Sequence, residues 1–293
     1  MKEIDPHQAR TLAAIISTGS FEGAAAALSV TASAVSQRIR ALETAIGRPV
    51  LRRTRPVELT DAGQAVVRFA RQLELLSADV LTELGSDDTA TGRGLTIVIN
   101  ADSLNTWALP ALAPLARTLQ LEVLREDQEH SLELLRNGAA AAAITSTGVP
   151  IQGCSARPLG VMRYLPVCTA EFRQEWFADG VTSGALTRAP VVVFDRKDDL
   201  QDQYLRGRGI QPGSTPRHYI PAAHEFGEAI ALGMGWGLLP ELELARDPRR
   251  RALAAFDGGA FVDVPLHWQQ WRHGSAALDE VAAAIRGAAA VLR

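Results

Sequence analysis

Ser33, Ser36, Gln37 and Arg40 place two hydroxyls, an amide and a guanidinium on one face of a short helical segment. These are the groups that hydrogen-bond base edges and phosphates from the major groove. Thr31 stands just ahead of them as a candidate N-cap, at the end of the helix that would enter the groove. The opposite face carries Val35, Ile39, Leu42 and Ile46, at helical spacing, as one buried stripe. A second set of cations follows in Leu51–Pro56, where Arg52, Arg53 and Arg55 precede the extended run Val57-Glu58-Leu59. That pattern reads as a small wing whose arginines lie on phosphates.

Other elements must position these groups. Asp5 as N-cap with Pro6 behind it starts a first helix, and Ser20 caps a second whose apolar face is Phe21, Ala24, Ala25 and Leu28. Ser29-Val30 makes the turn into the helix that carries Gln37 and Arg40, so the segment reads as helix–turn–helix. After the wing, Thr60 caps a helix predicted to run to about Leu84. Ala62, Val66, Phe69, Leu73, Leu76 and Val80 recur along it at alternating steps of four and three. A seam of that period pairs with its twin, which predicts a symmetric dimer through Val66, Phe69, Leu73, Leu76 and Val80.

The net charge of −3 hides an asymmetry: residues 1–60 carry eight Lys/Arg against five Asp/Glu, and the remainder 22 against 28. A basic head on an acidic body suits a DNA-binding module joined to one that does not bind DNA. Met1-Lys2-Glu3-Ile4-Asp5 leads directly into a helix start and shows no secretory signal. The longest uncharged stretch, 137–156, is broken by Gly, Pro, Ser and Thr and does not read as a membrane span. The expected location is the cytoplasm. Cys154 and Cys168 are too few and too far apart for a metal knuckle or a redox pair. GxxxxGK[ST], GxSxG and HExxH motifs are absent, and Gly233, Gly235 and Gly237 fail GxGxxG at Leu238. No enzyme chemistry, metal or cofactor is expected. A transporter's solute-binding protein is disfavoured by residues 1–60.

Phe21, Ala24-Ala25, Ser33-Ala34-Val35-Ser36, Ile39, Leu42-Glu43, Gly47, Arg53 and Leu59-Thr60-Asp61-Ala62-Gly63 together resemble the LysR-type transcriptional regulators. Val50-Leu51 departs from the family's usual Leu-Phe, a matter of packing. Gly233–Gly237 followed by Leu238-Leu239-Pro240 is a second family mark. Within the family the strings 20–25, 100–112, 189–201 and 224–226 are most similar to the basic-amino-acid-sensing LysG/ArgP branch. The resemblance implies an α/β effector domain of two lobes, like a periplasmic binding protein, behind a winged helix-turn-helix. The expected divisions are 1–59 for DNA binding, 60–91 for linker helix and hinge, and 92–293 for the effector domain. Lobe one would be 92–162 plus 268–293, and lobe two 163–267. The resemblance also implies an activator of an amino-acid export gene that assembles as a dimer or tetramer on an operator and works with RNA polymerase. A regulator of another operon, sensing an unrelated small molecule, is the alternative.

Beyond the hinge at Gly92-Arg93-Gly94, strands are predicted at 95–99, 121–124, 139–145, 162–168, 191–194, 217–221, 237–239 and 261–267. Helices are predicted from about Ser103, with Pro110 as a kink, and at 132–136, 170–178, 198–206, 224–234 and 275–292. This alternation predicts parallel sheets covered on both faces. In such sheets ligands bind where strands end and helices begin. For a basic amino acid, the carboxylate would take Ser103, at a helix start, with Thr145, Ser146 and Arg163. The ammonium groups would take Asp102, Asp127, Asp195 and Glu225, while Phe194 and His224 line the same loops.

Overall fold

The structure is a computed structural model. It describes residues 3–52, 54, 57–85, 94–126 and 128–293, with only the backbone course for 128–130. Arg53, Arg55 and Asp127, and most of the hinge, lie outside the described residues.

Helices α1 (Pro6–Thr18), α2 (Phe21–Ala27) and α3 (Ala32–Ile46) begin where short polar side chains can close their first turns. Asp5 accepts from His7 N–H, Ser20 from Gly23 N–H and Thr31 from Ala34 N–H. Strands β1 (Leu51–Arg52) and β2 (Glu58–Leu59) pair antiparallel as the wing, with Arg52 opposite Glu58. Thr60 then caps α4 (Asp61–Glu83), accepting from Gly63 N–H at 3.1 Å and donating to the Pro49 carbonyl at 2.7 Å. Leu12, Ile15, Val35, Ile39, Leu42, Val50, Val66, Val67 and Ala70 form one core that ties α4 to the three helices.

The remaining elements are β3 (Gly94–Val98), α5 (Ala101–Ser103), α6 (Leu109–Leu112), β4 (Gln120–Leu124), α7 (Gln128–Arg136), β5 (Ala142–Thr145), β6 (Cys154–Thr169), α8 (Ala170–Trp176) and α9 (Ser183–Arg188). They continue with β7 (Val191–Val193), α10 (Leu200–Gly207), β8 (Arg217–Tyr219), α11 (Ala223–Ala231), β9 (Gly237–Pro240), α12 (Glu241–Arg246), β10 (Leu253–Ala255), β11 (Val262–Trp271) and α13 (Ala276–Ala288).

Two compact units divide the chain. The first comprises 1–100, 112–157 and 267–286; the second comprises 101–111, 158–266 and 287–293. In the first, β4, β3 and β5 run parallel and the end of β11 adds antiparallel to β5. In the second, β10 and β9 pair antiparallel with β6, and β7 and β8 form a parallel pair. The sheets are therefore mixed, not purely parallel as the alternation predicted. The reason is that β6 and β11 are long strands that pass from one unit into the other. Pro158 and Gly160 punctuate the sequence of β6 without ending the strand, which starts at Cys154 and not near 162.

The helix after β3 also differs. It begins at Ala101, widens into a π turn over Leu104–Ala108, returns to α geometry in α6 and tightens to 3-10 over Ala113–Arg117. Ser103 thus sits inside the helical run, with helical dihedrals and no capping bond.

Candidate functional site

On α3 the polar face is open. Thr31, Ser33, Gln37 and Arg40 are exposed and Ser36 is half-buried, while Val35, Ile39 and Leu42 are buried on the other side. Helical spacing produces this separation directly. The Thr31 oxygen is the N-cap acceptor, so α3 starts at a fixed place. Gly47 ends it in the left-handed conformation, and Glu43 Oε1 accepts Val50 N–H at 2.9 Å, which orients the approach to the wing. Arg52 is exposed and lies 4.0 Å from Glu58. A pair so open to water holds its cation weakly and leaves it available to an external anion.

Along α4 the predicted seam splits in two. Val66 is 3 % exposed, inside the core of the winged domain, so it has no surface to offer a second chain. Phe69 packs against the same core and Leu73 is half-buried. Leu76 and Val80 are 45 % and 53 % exposed, and Leu81 and Leu84 are open with them. The free apolar surface is the C-terminal half of the helix.

Thr145 ends β5 in the first unit. Its hydroxyl donates to the Thr147 carbonyl at 3.0 Å and accepts from Gln269 Nε2 at 3.2 Å, and Ser146 is half-buried beside it.

The second unit holds the most unusual electrostatics. Asp102 Oδ2 accepts the Tyr164 hydroxyl at 2.7 Å, and Tyr164 is 4 % exposed. Burial lifts the Asp102 carboxyl to about 6 and raises the Tyr164 phenol well above its ordinary value. Tyr164's hydrogen bond opposes the rise at Asp102, whereas Glu243 and Asp198 add to it. Both of these neighbours are acids, and Glu243 is itself paired with Arg250. Asp102 is half-buried, so its carboxyl keeps some accessible surface. The neighbouring Ser103 is fully buried and its Oγ has no hydrogen-bond partner among the described residues.

Asp198 was missed in the sequence. Its two oxygens accept Phe194 N–H at 3.2 Å and Leu200 N–H at 3.0 Å, and burial raises its carboxyl. Asp195, the predicted residue, instead accepts the N–H groups of Lys197 and Asp198 at 2.7 and 3.0 Å and builds the turn. Glu243 was missed too. It is buried, with Oε1 accepting Arg250 Nε at 2.8 Å and Oε2 facing Asn105 Nδ2 at 3.5 Å. Arg250 is 1 % exposed and also donates to the His224 carbonyl at 3.0 Å. A charged stretch such as Glu241–Arg251 carries no local sign that two of its members are buried.

Other predicted residues are engaged elsewhere. Arg163 makes a bidentate pair with Asp263 at 2.7 Å and stacks over Phe261, which commits its guanidinium to the protein. His224 and Glu225 are exposed at the start of α11, with His224 Nε2 3.4 Å from Arg249. Phe194 is half-buried against Phe226, with ring centroids 6.4 Å apart. Cys154 and Cys168 are buried free thiols, pushed up to about 11 and about 12, where little reactive thiolate exists at neutral pH. Among the described residues no group of His, Cys, Asp or Glu could hold a metal ion, and no helix is long and apolar enough to cross a membrane.

Residues 6–64 match the bacterial regulatory helix-turn-helix protein, lysR family, and residues 91–290 match the LysR substrate binding domain. The chain belongs to the LysR family of transcriptional regulators. The lysine export transcriptional regulatory protein LysG of Corynebacterium glutamicum is 41 % identical over 98 % of both chains. A crystal structure of ArgP from Mycobacterium tuberculosis aligns with a TM-score of 0.90 at 38 % identity over 99 % of both chains. Full-length LysG of C. glutamicum with bound effector Arg aligns at 0.83, with 40 % identity over 99 % of this chain and 100 % of that one. Helices α1–α3 and the wing therefore lie in the lysR-family helix-turn-helix part of the chain, and residues 91–290 form its LysR substrate binding domain.

Proposed function

We propose that this LysR-family regulator responds to a basic amino acid, with arginine and lysine as first candidates and histidine as a third, and activates a gene for amino-acid export. The observation that carries the reading is the half-buried Asp102 carboxyl, raised to about 6. That carboxyl is bonded to Tyr164 and has no cationic partner of its own among the described residues, while Glu243 nearby is paired with Arg250. An ammonium or guanidinium supplies such a partner and forms a charge-assisted hydrogen bond in the same place. The wide turn that follows Asp102 adds support, because such turns recur at functional sites. So do the relatives: one is named for lysine export, and its structure holds arginine.

DNA contact is assigned to Ser33, Ser36, Gln37 and Arg40, with Arg52 on phosphate. Assembly is assigned to the exposed half of α4, as a dimer that associates further into a tetramer. The protein acts in the cytoplasm, on a duplex operator, with RNA polymerase as the downstream partner. The coupling is a shift between arrangements, so the effector must bind one of them better than the other.

Calorimetric titration of the full-length protein with each of the twenty amino acids tests the effector. Binding confined to cationic side chains is expected. Tight binding of an acidic or aromatic amino acid, with none of lysine, arginine or histidine, overturns the effector assignment and leaves the family unaffected.

A further inference from the structure

Helix α4 carries the winged domain and is also fastened to the first part of the sensing domain. Near its middle, the Arg68 guanidinium donates to the main-chain carbonyl of Arg136, the last residue of α7. Farther along, Asp79 Oδ2 accepts the N–H of Ala276, the first residue of α13, at 2.7 Å. Eleven residues at about 100° each return to within about 20° of the starting direction, so both side chains leave α4 on one face. Their charges match the ends they meet. A cation lies at a helix C-terminus and an anion at a helix N-terminus, where the unpaired carbonyl and N–H groups favour them.

A third contact fixes how close α4 comes. Gly138 has φ of +81°, and a Cβ there would stand 3.2 Å from both Arg68 N and Val67 Cγ1. Only a glycine lets the two backbones approach so near. Between the two fastenings the surfaces do not close. They leave a cavity of about 390 Å³, lined by Arg71, Glu74 and Leu75 of α4 and by Thr96, Glu122 and Trp271 opposite. A permanent interface is filled to the density of a protein interior. This one is polar at both ends and hollow between them.

The same helix is also joined to the winged domain. Val66, Val67 and Ala70 lie in that domain's core, Arg71 bonds Ser17 of α1, and Glu74 lies 3.8 Å from Arg10 of α1. Any change in the seating of α4 on the sensing domain therefore moves α3 and the wing with it. We propose that Arg68 and Asp79 form a two-point clasp that sets the angle of the winged domain, and that its opening is the step by which the protein changes the geometry of its DNA complex. The clasp is reversible because its two ends are polar contacts on half-buried side chains, with a cavity and not a packed core between them.

Hydrogen–deuterium exchange on the full-length protein without ligand tests this. The reporting amides are Ala139 and Ala140 near Arg68, and Leu278 and Asp279 near Asp79, all hydrogen-bonded in the closed clasp. Asp79→Ala is expected to speed exchange about tenfold at both ends, the equivalent of about 1.4 kcal/mol. Arg68→Ala should do the same. Exchange that rises only beside the substituted residue, in both variants, overturns the clasp, because each contact would then be a local bond. Circular-permutation bend analysis of the operator complex supplies the second readout. A changed bend angle is expected in either variant; an unchanged angle with both ends loosened overturns the link to DNA geometry.

Discussion

Replacing Asp102 by asparagine keeps the shape of the side chain and an acceptor for Tyr164 but removes the charge. The carboxyl's rise from 3.8 in the unfolded chain to about 6 in the fold corresponds to about 3 kcal/mol that folding loses when the group must be ionised. The folded state binds the extra proton between those two values, so this group's stabilising effect is present at low pH and is lost as pH climbs through about 6. At pH 7 without ligand, the Asp102→Asn protein should therefore be more stable than wild type, by up to about 3 kcal/mol. The difference should shrink toward zero at pH 4. Urea denaturation followed by tryptophan fluorescence measures both. A bound cation reverses the balance, since it favours the ionised carboxylate. Arginine affinity for wild type should be level above pH 6 and fall by about a decade per pH unit below it, accompanied by proton release. The variant should lose most of that affinity and its pH dependence. A variant that is no more stable at pH 7 and still binds arginine as wild type does would refute the argument that the Asp102 carboxyl is the cation's partner.

Gln37→Ala and Arg40→Ala should each weaken operator binding by about 1–3 kcal/mol if they read base edges, with little change on random duplex for Gln37. Gel shifts at one stated salt concentration decide it, and unchanged affinity in both removes α3 as the reading helix. Leu76→Asp places a charge on a residue already 45 % exposed, so the single chain should fold normally while self-association weakens. Light scattering that shows undiminished assembly would move the contact elsewhere. Arg250→Met strips the counter-ion from buried Glu243 and should cost about 3–5 kcal/mol. Chemical denaturation with a loss below about 1 kcal/mol would mean the pair is far more solvated than its burial indicates.

The N-terminal domain was legible because its determinants are local. A hydroxyl or carboxyl two or three residues ahead of the N–H it accepts marked the starts of α1, α2, α3 and α4, and all four caps form. Of the predicted stripe, Val35, Ile39 and Leu42 are buried and Ile46, at the end of the helix, is half-buried. Periodicity failed where the identity of the neighbour mattered. The seam of α4 is apolar throughout, yet Val66 is covered by the chain's own winged domain while Val80 is open. Around the candidate site, Asp102 and Ser103 stood out through family resemblance, but Asp198 and Asp195 were indistinguishable within one run of polar residues. The turn made by Asp195 is what sends Asp198 inward, and a loop has no period from which to read that. Glu243 and Arg250 stayed hidden because their pairing depends on burial that only the folded chain creates. The small elements α9, α12 and β10 were missed for want of length: each spans six residues or fewer, too short for a repeat to emerge.

The wide turn at Leu104–Ala108 amounts to one residue added to an α-helix. One added residue rotates everything beyond it by about 100° and advances it about 1.5 Å. That offset lets Asp102 point at Tyr164 while Thr106, Trp107 and Ala108 remain buried. A regular helix would have to surrender one direction or the other. The direction of Asp102 is therefore written in chain length as well as in residue identity. Substitution scanning, which holds length constant, is blind to it. A single-residue insertion or deletion in this turn would re-aim Asp102 relative to everything beyond Ala108, a change that no exchange of side chains reproduces.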